Sequence, residues 1–261
     1  MGYVRPKKKL GQHFLKDNHI AERIVKSLTL HNGYTNVLEI GPGTGVLTRI
    51  LLKDSQIKTK VVEIDRESVT YLKENFELKE EDIISGDFLR MQIDTIFPGK
   101  YGIIGNFPYN ISSQIFFKIL EYRNTVEEIV CMLQKEVAER INAGPGGKTS
   151  GILSILLQAY YDIEYLFTVP PEVFNPPPKV QSGVISLKRN DREKLGCDEK
   201  LFARIVKQGF NNRRKTLRNA LKSLGIPKEI TQDEIYGKRA EALSVDQFID
   251  ITKNIEEGLK E

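Results

Sequence analysis

Short apolar runs alternate with segments of helical periodicity along the chain up to about residue 190. Such runs, most of them ended by Gly, Asp or Asn, are typical of buried parallel strands. They lie at residues 36–41, 60–65, 82–87, 101–106 and 128–133, and a later pair lies at about 160–168 and 183–189. The pattern therefore predicts a sheet whose strands are buried on both faces.

Segments in which apolar residues recur every three or four positions separate these runs. We predict helices at 18–30, 44–53 and 66–76, and a further helix that Ser112 or Ser113 caps. Alternation of strands and helices predicts an open α/β sheet with right-handed crossovers. The stretch TVPPEVFNPPPKVQSG, at 168–183, is too rich in proline to be a central strand.

The strand pattern ends near residue 190, and only helical patterns follow. Helices are predicted at 199–209, 213–223 and 245–259, the last with Ser244 as its cap. We therefore predict two domains, an α/β domain at 1–190 with a basic N-terminal arm, and a small all-helical domain at 191–261. The length of 261 residues suffices for one large core and a smaller one.

Composition narrows the class of protein. Hydrophobic residues make up 40% of the chain and charged residues 28%, as in ordinary globular proteins. No apolar run is long enough for a membrane helix, and the N-terminus has no secretory pattern. Two cysteines and three histidines give neither a disulfide framework nor metal-ligand spacing. We therefore expect a cytoplasmic protein with no metal.

The net charge of +4 is modest, but basic residues are concentrated in two stretches without any acid. The first, at 5–16, carries Arg5, Lys7, Lys8, Lys9 and Lys16. The second, at 201–220, carries Arg204, Lys207, Arg213, Arg214, Lys215 and Arg218. Either stretch alone could be a solvated tail or helix face. Two of them in one chain favour a polyanionic partner such as nucleic acid.

A glycine-rich turn follows the first predicted strand. Gly41, Gly43 and Gly45 allow a tight turn and close approach of a ligand to the backbone. Glu63 ends the second strand, where its carboxylate could bind both hydroxyls of a ribose, and Asp87 ends the third, where it could bind an adenine amine. Strand ends of this kind form the ligand crevice of an open α/β sheet. Both NAD and S-adenosylmethionine would fit, and either acid alone could instead cap a helix.

The stretch GNFPYN, at 105–110, favours methyl transfer to an adenine. The Asn106 oxygen and the Phe107 carbonyl can accept both hydrogens of an exocyclic amine, and Pro108 stiffens their turn. Tyr109 can stack on the base, and Phe174 in the proline-rich stretch could form a second wall. A sulfonium methyl is already activated, so no strong base is required. No proton-relay constellation of the kind that a dehydrogenase needs is evident.

These residues stand within a series of blocks that resembles the ribosomal RNA adenine dimethyltransferase family over nearly the whole chain. The blocks are LGQHFLKD (10–17), LEIGPGTGVLT (38–48), VVEIDRE (61–67), SGDF (85–88), GNFPYNISSQIFFK (105–118), MLQKEVAERI (132–141), PPEVFNPPPKVQS (170–182) and GFNNRRKTLRNAL (209–221). The last three resemble the branch that modifies small-subunit (16S) rRNA. The other branch modifies large-subunit (23S) rRNA and confers macrolide resistance.

The resemblance implies a Rossmann-like methyltransferase domain with a mostly parallel seven-stranded sheet, followed by a small C-terminal all-helical domain. It implies S-adenosyl-L-methionine as cofactor, and two methyl groups placed on N6 of each of two adjacent adenosines near the rRNA 3′ end. With the glycine turn, the implied cofactor positions are His13, Leu15, Gly41, Gly43, Glu63, Asp87 and Asn106. The sequence departs from the commoner family residues at one of these positions, with His13 in place of Asn, and at one position outside them, with Phe107 in place of Leu.

The basic stretches acquire a role through this resemblance, in which cations contact rRNA phosphates and position the small ribosomal subunit. The candidate RNA-binding residues are Lys7, Lys8, Lys9, Arg213, Arg214, Lys215 and Arg218. We expect a monomer. Three alternatives remain at this point: a 23S rRNA methyltransferase, a ribosome assembly factor without catalysis, and a DNA adenine methyltransferase, for which no DNA-recognition domain is evident.

Overall fold

The computed structural model describes residues 4–147 and 149–259. They form two compact units. The sheet unit takes in the described residues up to Glu139 together with Asp162–Arg189, and the helical unit takes in Arg140–Tyr161 together with the described residues from Asn190 onward.

Seven strands form one sheet, and two short strands pair with each other. In chain order the strands are β1 (Phe14–Leu15), β2 (Asn36–Ile40), β3 (Lys58–Glu63), β4 (Ile83–Ser85), β5 (Tyr101–Asn106), β6 (Val126–Gln134), β7 (Tyr161–Val169), β8 (Phe174–Asn175) and β9 (Ser182–Arg189). The large sheet has the order β4-β3-β2-β5-β6-β9-β7, and β1 pairs with β8. Strands β2 to β6 pair in parallel, and β9 is antiparallel to β6. The predicted α/β fold with a mostly parallel seven-stranded sheet is confirmed.

The helices are α1 (Asn18–Lys26), α2 (Thr48–Leu51), α3 (Arg66–Asn75), α4 (Ser112–Glu121), α5 (Lys135–Asn142), α6 (Ile152–Gln158), α7 (Glu199–Asn211), α8 (Leu217–Leu221) and α9 (Val245–Gly258). Ser244 caps α9 as predicted, because its hydroxyl accepts the Gln247 N–H at 3.2 Å. None of the helices in the described part of the chain is both long and apolar enough to cross a membrane.

Four helices differ from the sequence-based prediction. The first ends at Lys26, and left-handed Leu30, with φ of 53°, lies beyond it. The predicted helix at 44–53 shrinks to α2, because the glycine turn occupies its first residues. Neither Ser112 nor Ser113 caps α4, since Ile111 is its N-cap and makes no side-chain capping bond. A turn from Asn212 to Lys215 delays α8 until Leu217.

The helical unit includes Arg140–Tyr161. The sequence-based prediction places this segment in the α/β domain at 1–190 and begins the helical domain at 191. Residues 140–161 group with the C-terminal helices, because α6 packs against α7 and α9. The side chains of Ile155, Leu156 and Leu157 on α6 are buried. An apolar helix inserted after a strand has the same periodicity as a crossover helix, so the sequence does not distinguish the two.

Candidate active site

A cleft of the sheet unit opens where β2, β3, β4 and β5 end. Its walls are these strand ends, the residues that follow them, and the segment 10–14 of the N-terminal arm. Because parallel strands all point the same way, their carboxyl ends bring chemical groups from distant parts of the chain to one edge. The predicted residues His13, Gly41, Gly43, Glu63, Asp87, Asn106, Phe107, Pro108 and Tyr109 all line this cleft.

The glycine turn after β2 is held by Glu63. One carboxylate oxygen of Glu63 accepts the Gly43 N–H at 3.0 Å, and the other accepts the Asp65 N–H at 2.8 Å. Gly43 has φ of 55°, and a Cβ there would lie 2.7 Å from the Phe14 ring. The turn therefore requires glycine at this position, both for its left-handed backbone and for its close approach to the arm.

A second buried acid, Glu39 on β2, links the strand before the turn to helix α2 after it and was missed by the sequence analysis. It is 1% exposed, and it accepts the Thr48 hydroxyl at 2.6 Å. Burial, reinforced by the nearby charge of Glu63, raises the pKa of Glu39 to about 8. Burial also raises the pKa of Glu63, although hydrogen bonds from the backbone of Asp65 and Gly43 oppose this.

The far end of the cleft combines a carboxylate with an apolar side chain. Asp87 caps the short helix that follows it and accepts the Leu89 N–H at 3.0 Å. Ile64 directly follows the last residue of β3 and lines the cleft while 51% of it is exposed. An exposed apolar residue beside polar strand ends provides a surface for a flat ring. The sequence could have indicated Ile64 as a cleft residue, because it directly follows the predicted acid Glu63.

Asn106 has a fixed orientation at the end of β5. Its side-chain nitrogen donates a hydrogen bond to the His13 carbonyl oxygen at 2.9 Å, so its oxygen remains as an acceptor. The next residue is anchored too, since the Phe107 N–H donates to the Met132 carbonyl at 2.9 Å. The Phe107 ring is buried against Phe116, with ring centroids 5.7 Å apart. The backbone, rather than the ring, of Phe107 is therefore the group available to a ligand.

Tyr109 is held by contacts at its hydroxyl and at its ring. Its hydroxyl lies 2.6 Å from the Ser182 hydroxyl, and its ring stacks on His13 with centroids 5.5 Å apart and planes inclined by 26°. The His13 Nδ1 atom is in turn 2.7 Å from the Pro176 carbonyl oxygen. Burial raises the pKa of Tyr109, so its phenol stays protonated near neutral pH.

Two predicted site residues lie in the hydrophobic core instead. Phe174 is 1% exposed and Leu15 is 4% exposed, and both belong to the same buried cluster. They face each other in the β1–β8 pair, where the register aligns Leu15 with Phe174. The Phe174 ring and the Leu15 side chain therefore pack in this core, and neither forms a wall of the cleft.

The basic N-terminal arm divides into a bound part and an exposed part. The Lys7 ammonium contacts the Asp65 carboxylate and lies 3.1 Å from that of Glu67. The Asp65 hydrogen bond raises the pKa of Lys7. Lys8 and Lys9 are exposed, and no ion pair involves them within the described residues. Lys7 is thus engaged within the protein, whereas Lys8 and Lys9 face solvent.

The cations of the helical unit divide in the same way. Arg213 donates from Nε to the Glu241 carboxylate at 2.6 Å. Arg218 donates to the Thr231 and Gln232 carbonyl oxygens at 2.6 and 2.8 Å. Arg214 and Lys215 are exposed, and their side chains make no hydrogen bond or ion pair within the described part of the chain. Two of the four predicted RNA contacts therefore stabilise the unit itself.

Comparison with known proteins agrees with this geometry. The family model of ribosomal RNA adenine dimethylase matches residues 4–257. The ribosomal RNA small subunit methyltransferase A of Cytophaga hutchinsonii is 60% identical over 97% of this chain and 98% of its own length. The protein of the same name from Bacteroides thetaiotaomicron is 55% identical over 100% of this chain and 97% of its own length.

Solved structures show the same architecture. A dimethyladenosine transferase from Plasmodium falciparum superposes with a TM-score of 0.78 at 26% identity, covering 94% of this chain and 98% of that one. The 23S rRNA methyltransferase ErmE superposes with a TM-score of 0.70 at 23% identity, covering 93% and 99%, which shows a shared fold. The chain belongs to the ribosomal RNA adenine dimethylase family and is an S-adenosylmethionine-dependent methyltransferase.

Proposed function

We propose that this protein dimethylates N6 of two adjacent adenosines near the 3′ end of 16S rRNA, acting on the small ribosomal subunit and contributing to its biogenesis. The observation that carries the proposal is the orientation of Asn106, whose amide oxygen is left as an acceptor at the end of β5. The names of relatives at 53–60% identity over nearly the whole chain support the small subunit rather than the large one.

The cleft fits S-adenosylmethionine, which supplies an electrophilic sulfonium methyl group when it binds. The backbone at Gly41 and Gly43 would hold its amino-acid part, and a Cβ at Gly41 would meet no atom within 4 Å, so the backbone at Gly41 faces open space. Glu63 would bind the ribose hydroxyls while keeping its bonds to the turn. Asp87 and Ile64 would hold the adenine by a polar edge and an apolar face respectively.

The target adenine would lie against the segment Asn106–Tyr109. The Asn106 side-chain oxygen and the Phe107 carbonyl oxygen would accept its amine hydrogens, which holds the nitrogen lone pair towards the methyl group. Tyr109 would stack on the base, which must first leave its own stack in the RNA. No strong base is required, because the nitrogen becomes acidic once it is methylated and its proton passes to solvent.

The exposed cations would hold the subunit. We assign phosphate contacts to Lys8, Lys9, Arg214 and Lys215, because their charges are not engaged by acids within the described residues. A cytoplasmic location follows from the substrate, since bacterial ribosomes are in the cytoplasm. The proposed chemistry requires no metal, and a monomer remains the expected state, which analytical ultracentrifugation would test.

Methyl transfer from labelled S-adenosylmethionine to undermethylated small subunits tests the function, with large subunits and duplex DNA in parallel. The expected product is N6,N6-dimethyladenosine at two adjacent positions of 16S rRNA, located by primer extension and mass spectrometry. Label on 23S rRNA would move the protein to the macrolide-resistance branch. Tight binding of small subunits without any label would leave an assembly factor that has lost catalysis.

A further inference from the structure

We propose that the segment Phe174–Ser182, here called the proline loop, fixes the ring of Tyr109 from two sides, and that Ser182 is a positioning residue for methyl transfer. The proposal rests on the proposed role of Tyr109 as the ring on which the target base stacks. The sequence predicts that the proline loop acts on the target base through the Phe174 ring, but this ring is buried in the core. The proposal instead makes the loop act on the base through Tyr109.

The end of the proline loop holds the Tyr109 hydroxyl. Ser182 is fully buried, and its hydroxyl lies 2.6 Å from that of Tyr109. The backbone around Ser182 is itself fixed, because it pairs with Gln134 in the β6–β9 ladder and the Lys135 N–H donates to the Gln181 carbonyl at 3.0 Å. The partner of the phenol is therefore immobilised by the sheet.

The start of the proline loop acts on the face of the same ring. The Pro176 carbonyl oxygen lies 2.7 Å from Nδ1 of His13, and Asn175 pairs with Phe14 beside it. His13 in turn stacks on Tyr109. One face of the Tyr109 ring is thus covered by a residue that the loop holds, and the target base would stack on the opposite face.

This arrangement makes the phenol hydroxyl an orienting group. Its hydrogen bond to Ser182 fixes the direction in which the ring points, while the stacked His13 ring restrains its rotation, and the two contacts together set the plane in which a stacked adenine would lie. Methyl transfer is sensitive to that plane, because the nitrogen must face the methyl group in line. Loss of one hydrogen bond of this kind is expected to slow the chemical step about tenfold.

The experiment compares Ser182→Ala, Tyr109→Phe and the double variant in single-turnover methylation of small subunits. Ser186→Ala is the matched control, because Ser186 lies on the same strand β9, is 3% exposed, and has a hydroxyl without a hydrogen-bond partner in the described residues. Ser182→Thr retains a hydroxyl at the position. S-adenosylmethionine affinity and melting temperature are measured for every variant, and Asn106→Ala is assayed alongside.

Each single variant is expected to slow methylation about tenfold at unchanged cofactor affinity, and the double variant no further, since both remove the same bond. Ser182→Thr and Ser186→Ala should retain the parent rate. Three results would overturn the proposal. The Ser182→Ala rate could lie within twofold of the parent, the rate losses of the two single variants could multiply in the double variant, or Ser186→Ala could lose as much rate as Ser182→Ala. If Ser182→Ala and Asn106→Ala both keep the parent rate, the proposed function of the cleft fails. If Asn106→Ala loses activity while Ser182→Ala keeps it, only the role of Ser182 is refuted.

Discussion

The Asn106 side-chain nitrogen donates to the His13 carbonyl oxygen at 2.9 Å, which joins the end of β5 to the N-terminal arm across the cleft. The bond decides which atom of the amide can act on a substrate. With one of its two N–H donors engaged by the His13 carbonyl, the amide is held so that its oxygen can accept, and an adenine amine offers the complementary donor. The arm thus orients the group that we place at the reacting nitrogen, and its own attachment becomes relevant to activity.

Lys7 is expected to act on cofactor binding rather than on RNA. Its contacts with Asp65 and Glu67 hold the arm whose residues 10–14 line the cleft. We predict that Lys7→Ala weakens S-adenosylmethionine binding about threefold, the modest effect of a partly exposed ion pair. Isothermal titration calorimetry measures the affinity.

The neighbouring exposed lysines provide the controls for this experiment. Lys8→Ala and Lys9→Ala should leave cofactor affinity unchanged and weaken subunit binding instead. If Lys7→Ala leaves the cofactor affinity unchanged and weakens subunit binding, Lys7 contacts RNA, as the sequence predicts.

Arg214 and Lys215 are expected to bind phosphate. We predict that Arg214→Glu combined with Lys215→Glu weakens small-subunit binding and lowers the slope of log K against log salt by roughly 1.4 to 1.8. Arg213 is left intact, because its bond to Glu241 stabilises the helical unit. Binding is measured by filter retention over a salt series.

Lys194→Glu combined with Lys200→Glu is the matched control for charge. Both lysines are exposed near the start of α7, whereas Arg214 and Lys215 follow its end, and the change in net charge is identical. An equal loss of affinity in the two double variants would mean that total charge, and not a local contact, controls binding.

Glu39 should make stability depend on pH in an unusual direction. Burial raises the pKa of this carboxyl from 4.5 to about 8, so the folded protein retains a proton that the unfolded chain has lost. The stabilisation is complete below the unfolded value and disappears as the pH rises through about 8. Glu39→Gln removes this titration. The difference between the melting temperature of the parent and that of the variant should therefore decrease by at least about 3 °C from about pH 5 to about pH 9.

Glu74→Gln, on the exposed side of α3, is the control for that measurement. It should shift the melting temperature equally at both pH values. A parallel pH dependence in the parent and in Glu39→Gln would show that Glu39 ionises normally in the folded protein.

The sheet and the cleft could be predicted from sequence because both are set by short-range patterns. Apolar runs that end in Gly41, Glu63 or Asn106 fix the strands, and parallel strands bring their ends together. The two interior residues, Phe174 and Glu39, could not be placed in this way. A phenylalanine before three prolines gives no sign of which way its ring turns, and a glutamate within an apolar strand gives no sign of its protonation state.

The roles of the cations also depend on long-range contacts. Within the acid-free stretch, the sequence does not distinguish Arg213 and Arg218 from Arg214 and Lys215. The difference comes from the partners of the two arginines, because Arg213 binds Glu241 and Arg218 binds Thr231, which lie 28 and 13 residues further along the chain. Ser182 likewise carries no local signal, since its partner Tyr109 is 73 residues away. Charge density along a sequence therefore indicates a binding surface without identifying which of its residues are available.

The single-turnover rate of methyl transfer by Asn106→Ala, at saturating S-adenosylmethionine, tests the role of the cleft most directly. Asn75→Ala is the control, because the Asn75 amide also donates to a backbone carbonyl, that of Tyr71 at 2.8 Å, but on the exposed side of α3. We predict a fall of about a hundredfold or more for Asn106→Ala with small-subunit binding intact, and no change for Asn75→Ala. An Asn106→Ala rate within about threefold of the parent, or an equal loss of methylation and subunit binding, would contradict the assignment of Asn106 to the reacting amine.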